Sequence, residues 1–399
     1  MSHTASAVTD DPGSSPAAWW AVISLALGAF GLVTAEFLPI SLLTPMASEL
    51  NASNGAVGQA ITATAVVAAF AGPLVVLCSG RLDRRMIICG LMIVLLLSCV
   101  LSAWAPNISV LLIARGLLGF SLGSFWAMMT PLALRLVPSD KVPKAISIIL
   151  MGISLATVFA APLGAFLGEL WGWRPTFLAA SGIAIVALAI QMLTLPKLPA
   201  NVAPNLASFK AALTRRAVAI GLTAGLLIIS GHFAALTFIR PFLEEVPRMD
   251  VPTVSLALLA FGVSGFFGNL AGGAVAARSP AWAVSSCAFL ISTVALALIL
   301  FGKQADVALL AIALWGFAFG AFPVSISIWN ARAATDHAES AGALLSMTFQ
   351  VAIAAGAILG GLLIDSFNTL AVIIYAAMAA GAGAALMLVQ GRAIERRRT

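Results

Sequence analysis

Charge is scarce in this sequence. Only 9% of its 399 residues are Asp, Glu, Lys or Arg, against about 25% in an ordinary soluble domain. A chain so poor in charge does not cover a water-facing surface, which excludes a soluble globular fold for most of its length. Histidine occurs three times, as His3, His232 and His337, too scattered for a metal cluster. The four cysteines, Cys78, Cys89, Cys99 and Cys287, sit in or beside apolar runs without metal-ligand spacing. They read as small hydrophobic residues, and no metal or other cofactor is expected. There is no HExxH or GxSxG motif and no cluster of His and Asp, which argues against an enzyme. No connection is long enough to hold a soluble sensing domain, which argues against a receptor. No basic patch interleaved with aromatics occurs, so the net charge of +6 does not imply a nucleic-acid polymer as partner. Residues 1–18 hold no Lys or Arg and so lack the charged start of a cleavable signal peptide. The first apolar run is expected to act as its own insertion signal.

What is abundant is apolar sequence: 61% of residues are hydrophobic and mean hydropathy is +1.07. About twenty apolar residues suffice to cross a bilayer as a helix. Twelve such runs are expected, near 19–43, 56–78, 86–104, 108–134, 145–169, 176–195, 217–240, 253–277, 281–301, 306–330, 341–364 and 368–390. The fold class is therefore all-α integral membrane, with the lipid bilayer as its environment. The longest connection, 196–216, divides the runs six and six. The expected organisation is an N-terminal tail 1–18, a six-helix bundle 19–195, a linker 196–216, a second six-helix bundle 217–390 and a basic tail 391–399.

Sixteen Lys and Arg residues lie in the even-numbered connections and the C-terminal tail, against four in the odd-numbered ones. That bias places both termini and the linker in the cytoplasm. The halves echo each other weakly: the second run ends Gly80-Arg-Leu-Asp-Arg-Arg85, and the eighth ends on Gly272 through Arg278 with the acid lost. Duplicated halves suggest a transporter with its site where the halves meet.

Few residues in the apolar runs can carry chemistry. Glu36 is the only carboxylate inside a run, and Arg115 the only basic residue. Ionisable groups within the membrane are costly and mark functional sites. Glu36 lies about seven residues before the outer end of run 1, and Arg115 about seven after the outer start of run 4. At 1.5 Å per residue both sit roughly 10 Å deep, where they are able to pair. Burial and a neighbouring guanidinium act on a carboxyl's proton in opposite senses, so a cavity that opens and closes would load and release it. A permanent pair fixing helices 1 and 4 is the alternative. Gly116, Gly119 and Gly123 suit close helix packing. Phe125 and Trp126 are candidates to stack a flat ligand, or plain packing. In run 5, Gly152, Pro162 and Gly164 suggest a kink or hinge. Asp83, beside Arg84, is placed to accept hydrogen bonds from a neighbouring helix N-terminus and latch an inner gate; a topogenic basic turn is the alternative. In the second half, His232, Phe233 and Gln350 are candidates to hold a polar ligand, though a lone histidine also often bonds a neighbouring helix.

These residues carry a resemblance. Arg115-Gly-Leu-Leu-Gly119 resembles the fourth-helix Arg-x-x-x-Gly motif of the drug/proton antiporter branch of the major facilitator superfamily. Gly152 through Ala165 is similar to that branch's fifth-helix motif, with Ala161 and Ala165 in place of two glycines, and Gly172-Trp-Arg-Pro-Thr-Phe177 also fits. The turn at Asp83-Arg84-Arg85 is contracted, without the usual glycine and later basic pair. Glu36-Phe-Leu-Pro39, Ser41 through Met46, Phe125-Trp-Ala-Met128, Arg135-Leu-Val-Pro138, Val142-Pro-Lys-Ala145 and Ala161-Pro-Leu-Gly164 resemble bacterial purine ribonucleoside efflux pumps. Sugar efflux transporters are the next most similar group. The resemblance implies two six-helix bundles and a monomer in the bacterial inner membrane. It also implies alternating-access antiport of protons against a small neutral substrate, such as inosine or guanosine. Glu36 and Arg115 would couple the proton. Phe125, Trp126, His232, Phe233 and Gln350 would bind substrate, and Asp83, Arg84, Gly152, Pro162 and Gly164 would gate. Efflux of sugars or amphiphilic drugs by the same mechanism stands as the alternative.

Overall fold

A computed structural model describes residues 16–78, 82–138, 141–198, 210–211, 213–334 and 338–396. Most of the expected N-terminal tail, most of the linker, the last three residues of the basic tail, His3 and His337 lie outside the described residues. Twelve described helices are long and apolar enough to cross a membrane.

In the first half these are α1 (Pro16–Glu49), α2 (Asn54–Cys78), α3 (Arg84–Ala103), α4 (Ile108–Leu136), α5 (Val142–Trp171) and α6 (Trp173–Thr194). In the second half α7 (Arg216–Thr237) is followed by the short α8 (Ile239–Glu245). Then come α9 (Val251–Arg278), α10 (Pro280–Phe301), α11 (Ala305–Ala333), α12 (Ala338–Ser366) and α13 (Thr369–Leu386). α13 runs on through a π turn, Met387–Gly391, into α14 (Arg392–Arg396). Twelve crossings bring both described ends to one face, called here the terminal face; the opposite one is the far face.

The expected runs and the observed helices agree in number and order. The largest difference is α1, which at 34 residues is about 51 Å long and outreaches a hydrocarbon core of about 30 Å. It carries Pro39 and Pro45 inside it. Polar residues therefore lie in its last turns: Thr44 and Glu49 make their contacts beyond the stretch that had been expected to end at 43. Helix starts follow their side chains. Asp83, Asn107, Asp250, Ser279 and Asn368 each accept a hydrogen bond from a backbone N–H in the first turn of the helix they precede, which satisfies a donor the helix cannot.

Each half packs mainly on itself, and the second and fourth helices of each are drawn together by glycine. A Cβ on Gly119 of α4 would run into the Thr64 carbonyl of α2, and one on Gly268 of α9 into the Phe317 carbonyl of α11. Small residues let membrane helices approach backbone to backbone, and this device recurs between the second and fourth helices of both halves. Between the halves, α2 meets α12, α5 meets α9, and α1 meets α7 and α8. Large apolar side chains such as Phe70, Leu193 and Phe289 point outward, as a lipid-facing surface requires. Exposed Trp20 and Trp282 stand near the terminal face and exposed Trp104 and Trp171 near the far face, the two belts that bilayer interfaces favour.

Candidate functional site

The polar centre of the first half lies between α1 and α4. Arg115 is 1% exposed. Its Nη1 donates to the Ala35 carbonyl at 2.8 Å, and its Nη2 to the Glu36 carbonyl at 3.3 Å. The expected ion pair is thus corrected: the guanidinium is held by the backbone of α1, with no contact to the Glu36 carboxylate within 4.0 Å. Glu36 lies thirteen residues before the end of α1, so about 20 Å below that end; the two residues still meet because α1 projects beyond the start of α4. The Glu36 side chain is partly exposed, and among the described residues its carboxylate has no hydrogen-bond partner. Hydroxyls fix the helix around Arg115: Thr64 of α2 donates to the Arg115 carbonyl at 3.1 Å, and Ser98 of α3 to that of Ala114 at 2.7 Å. Nε of Arg115 and Oγ1 of Thr34 are buried without a partner among the described residues. A carboxylate left open beside an immobilised cation can take up and release a proton without breaking the cation's own hydrogen bonds.

Phe125 does not reach this space. It is 1% exposed, packed near Gly28 of α1, with its ring edge-to-face on Trp126. The expected stacking position is corrected to core packing for Phe125, while Trp126 stays partly exposed. Gly152 and Gly164 are close-approach points of α5 on α1: a Cβ on Gly152 would meet the Ala26 carbonyl, and one on Gly164 would meet Ser41 and Leu38. Pro162 lies inside α5, which is continuous from Val142 to Trp171.

The second half carries a different centre. His232 of α7 is fully buried. Its ring stacks on Phe319 of α11 with centroids 3.3 Å apart and faces Phe261 of α9 at 6.0 Å. Trp315, one turn before Phe319, donates its indole N–H to Nδ1 of His232 at 3.0 Å. Phe233 stands edge-on to both His232 and Phe319. Ring contacts continue from Phe319 to Phe322 and on to Phe349 of α12, whose neighbour is Gln350. Nε2 of His232 and Oε1 of Gln350 are buried without a partner among the described residues.

The far face joins the halves. Arg240 of α8 donates to the Ser41 carbonyl and, at 2.7 Å, to Glu244; Glu244 accepts from Thr44 of α1 at 2.6 Å. Asp365 of α12 accepts from the Ser53 hydroxyl at 2.6 Å and from the Gly55 backbone N–H at 3.0 Å, so a carboxylate of one half caps the first turn of α2 in the other. On the terminal face Asp83 takes the N-terminus of its own helix rather than a neighbour's: it accepts from Arg85 N and from Leu198 N, both at 2.9 Å. The Leu198 contact is the main reason its carboxyl titrates below the ordinary aspartate value of 3.8. Arg84 N donates to the Leu198 carbonyl at 2.9 Å.

Sequence reasoning missed Trp315, Phe319, Arg240, Glu244 and Asp365. The aromatic spacing Trp315, Phe319, Phe322 was a usable signal, one helix face at steps of three and four. Arg240 and Asp365 had none, because each reads as an ordinary charge at the end of an apolar run.

The model of the Major Facilitator Superfamily matches residues 25–341. A purine ribonucleoside efflux pump, NepI, of Salmonella typhimurium is 38% identical over 352 residues, covering 88% of this chain and 89% of that protein. The pump of the same name from Escherichia coli is 39% identical over 350 residues, covering 88% of each. Among solved structures, a bacterial homologue of the human lysosomal transporter Spinster, inward-facing and unoccupied, superposes with a TM-score of 0.75 at 16% identity. It covers 94% of this chain and 96% of its own. The nucleoside transporter NupG superposes with a TM-score of 0.76 at 13% identity, covering 93% and 99%. At such identities these two likenesses speak for the fold.

Proposed function

The chain belongs to the major facilitator superfamily, and on that premise we propose that it exports a small neutral metabolite, a purine ribonucleoside such as inosine or guanosine, in exchange for protons. The observation that carries the reading is Glu36: a carboxylate within the membrane, on a residue that is only partly buried, with no hydrogen-bond partner among the described residues, beside Arg115. The curated relatives named for purine ribonucleoside efflux supply the substrate class. The Lys and Arg bias supports a cytoplasmic terminal face, and the far-face hydrogen bonds then hold the outer side closed.

In this scheme a proton arriving from outside neutralises Glu36 and removes its attraction for Arg115, which favours the state closed on the outside. Nucleoside enters from the cytoplasm between the halves, near Trp126, Gln350 and the His232 cluster. Its binding favours release of the proton inward and the swing to outward opening. The ligand moves that balance only by binding the two states unequally. Gly152, Pro162 and Gly164 let α5 slide or bend along α1, and Asp83 with Arg84 secures the inner end. Both termini face the cytoplasm, and one chain suffices for transport.

A neutral substrate exchanged for a proton moves net charge, worth about 2.3 kcal/mol per 100 mV. The test is transport of labelled inosine in proteoliposomes with the pH gradient held at zero and the membrane potential varied. Rate and accumulation should follow the potential. Indifference of both overturns the scheme. A response with sugars and none with nucleosides keeps the mechanism and replaces the substrate.

A further inference from the structure

The hydrogen bond between Trp315 and His232 fixes more than a ring position. An indole nitrogen is a donor only. With Trp315 Nε1 donating to Nδ1 of His232 at 3.0 Å, Nδ1 holds a lone pair, and the neutral imidazole carries its proton on Nε2. A ring flip would put the carbon Cδ2 in place of Nδ1 and lose this bond, and the ring is packed on Phe319 at 3.3 Å and near Phe261 at 6.0 Å. Nε2 is fully buried and has no acceptor among the described residues. The second half thus encloses one oriented N–H donor among aromatic rings, with no carboxylate among the described residues to satisfy it.

Resting on the reading that a purine riboside is carried, we propose that His232 is a specificity-determining residue whose Nε2–H donates to an acceptor atom of the transported base. Trp315 is the positioning residue that sets the tautomer. Flat heterocycles with an in-plane oxygen or nitrogen acceptor are the class this arrangement takes. A ring of the same shape with C–H at that position leaves the donor unpaired, and such loss discriminates strongly between otherwise similar substrates. Gln350, whose Oε1 is the opposite kind of orphan, lies farther along the aromatic chain and is not needed for this contact.

The test uses full-length protein in which His3→Gln and His337→Gln leave His232 as the single histidine. Nitrogen NMR of labelled histidine should find the proton on Nε2, and saturating inosine should shift that N–H signal. Trp315→Phe should mix the tautomers. In proteoliposomes, inosine should be compared with its 6-deoxy, 3-deaza and 7-deaza analogues. One of the three should show about tenfold weaker KM in the wild type, the worth of one hydrogen bond. That preference should disappear in His232→Phe and in the double variant His232→Phe/Trp315→Phe, which removes the donor and the indole together. A proton on Nδ1, a signal that ignores inosine, or an unchanged preference in both variants overturns the proposal while inosine transport itself persists. A wild type that carries no purine riboside instead overturns the functional reading on which the proposal rests.

Discussion

The two halves share a scaffold and divide the polar chemistry. Each draws its second and fourth helices together through glycine, at Gly119 on the Thr64 carbonyl and at Gly268 on the Phe317 carbonyl. In the first half, the first and fourth helices bring together Glu36 and Arg115. In the second, the corresponding pair brings together His232, Trp315 and a run of phenylalanines, with no acid among them. On the proposed reading the difference divides two tasks: one half supplies the titratable group for the proton, the other flat surfaces and one oriented donor for the substrate.

The shared part of that comparison breaks first. Gly119→Val or Gly268→Val puts a side chain into a facing backbone, and each should cost about 1–3 kcal/mol of stability, read as lower thermal stability in detergent. If one variant is silent, the two scaffolds are not equivalent. Arg115→Lys sharpens the divided part. The ammonium cannot keep the two directed bonds to the Ala35 and Glu36 carbonyls, and inosine accumulation should fall by about tenfold or more, while the His232 signal stays unchanged.

Asp365→Asn with Thr44→Ala loosens the far-face contacts of both halves at once. Charge-assisted bonds contribute about 1.5–3 kcal/mol, so the population open at the far face should rise several-fold. Spin labels at Ala52 and Phe367 should report a longer distance distribution. The smallest effect belongs to Asp83. Its folded carboxyl is more acidic than the unfolded one, so its stabilisation is complete above the unfolded value and is lost as pH falls through the folded one. Asp83→Asn should therefore lower stability slightly at neutral pH and flatten the further loss that the wild type shows on the acid side.

Helix number and order were legible in the sequence because twenty apolar residues in a bilayer allow little but a helix. Glu36 and Arg115 were legible because a charge inside such a run is rare. Their contact was not: the carbonyls of Ala35 and Glu36 are backbone, and backbone acceptors leave no mark in side-chain identity. Phe125 looked like its neighbour Trp126 until helix rotation turned one inward against Gly28. His232 was visible as a lone polar residue. Its tautomer depends on Trp315, eighty-three positions away, and only packing brings the two together.

The division between the halves rests on Glu36, and one pair of measurements in the same liposomes tests it. Glu36→Gln keeps size and polarity but cannot titrate. With a pH gradient imposed, this variant should bring labelled inosine only to equal concentrations on both sides. Its inosine counterflow, which needs no proton, should remain within about twofold of the wild type, a change below 0.5 kcal/mol. Accumulation of inosine above equilibrium by Glu36→Gln would contradict the account.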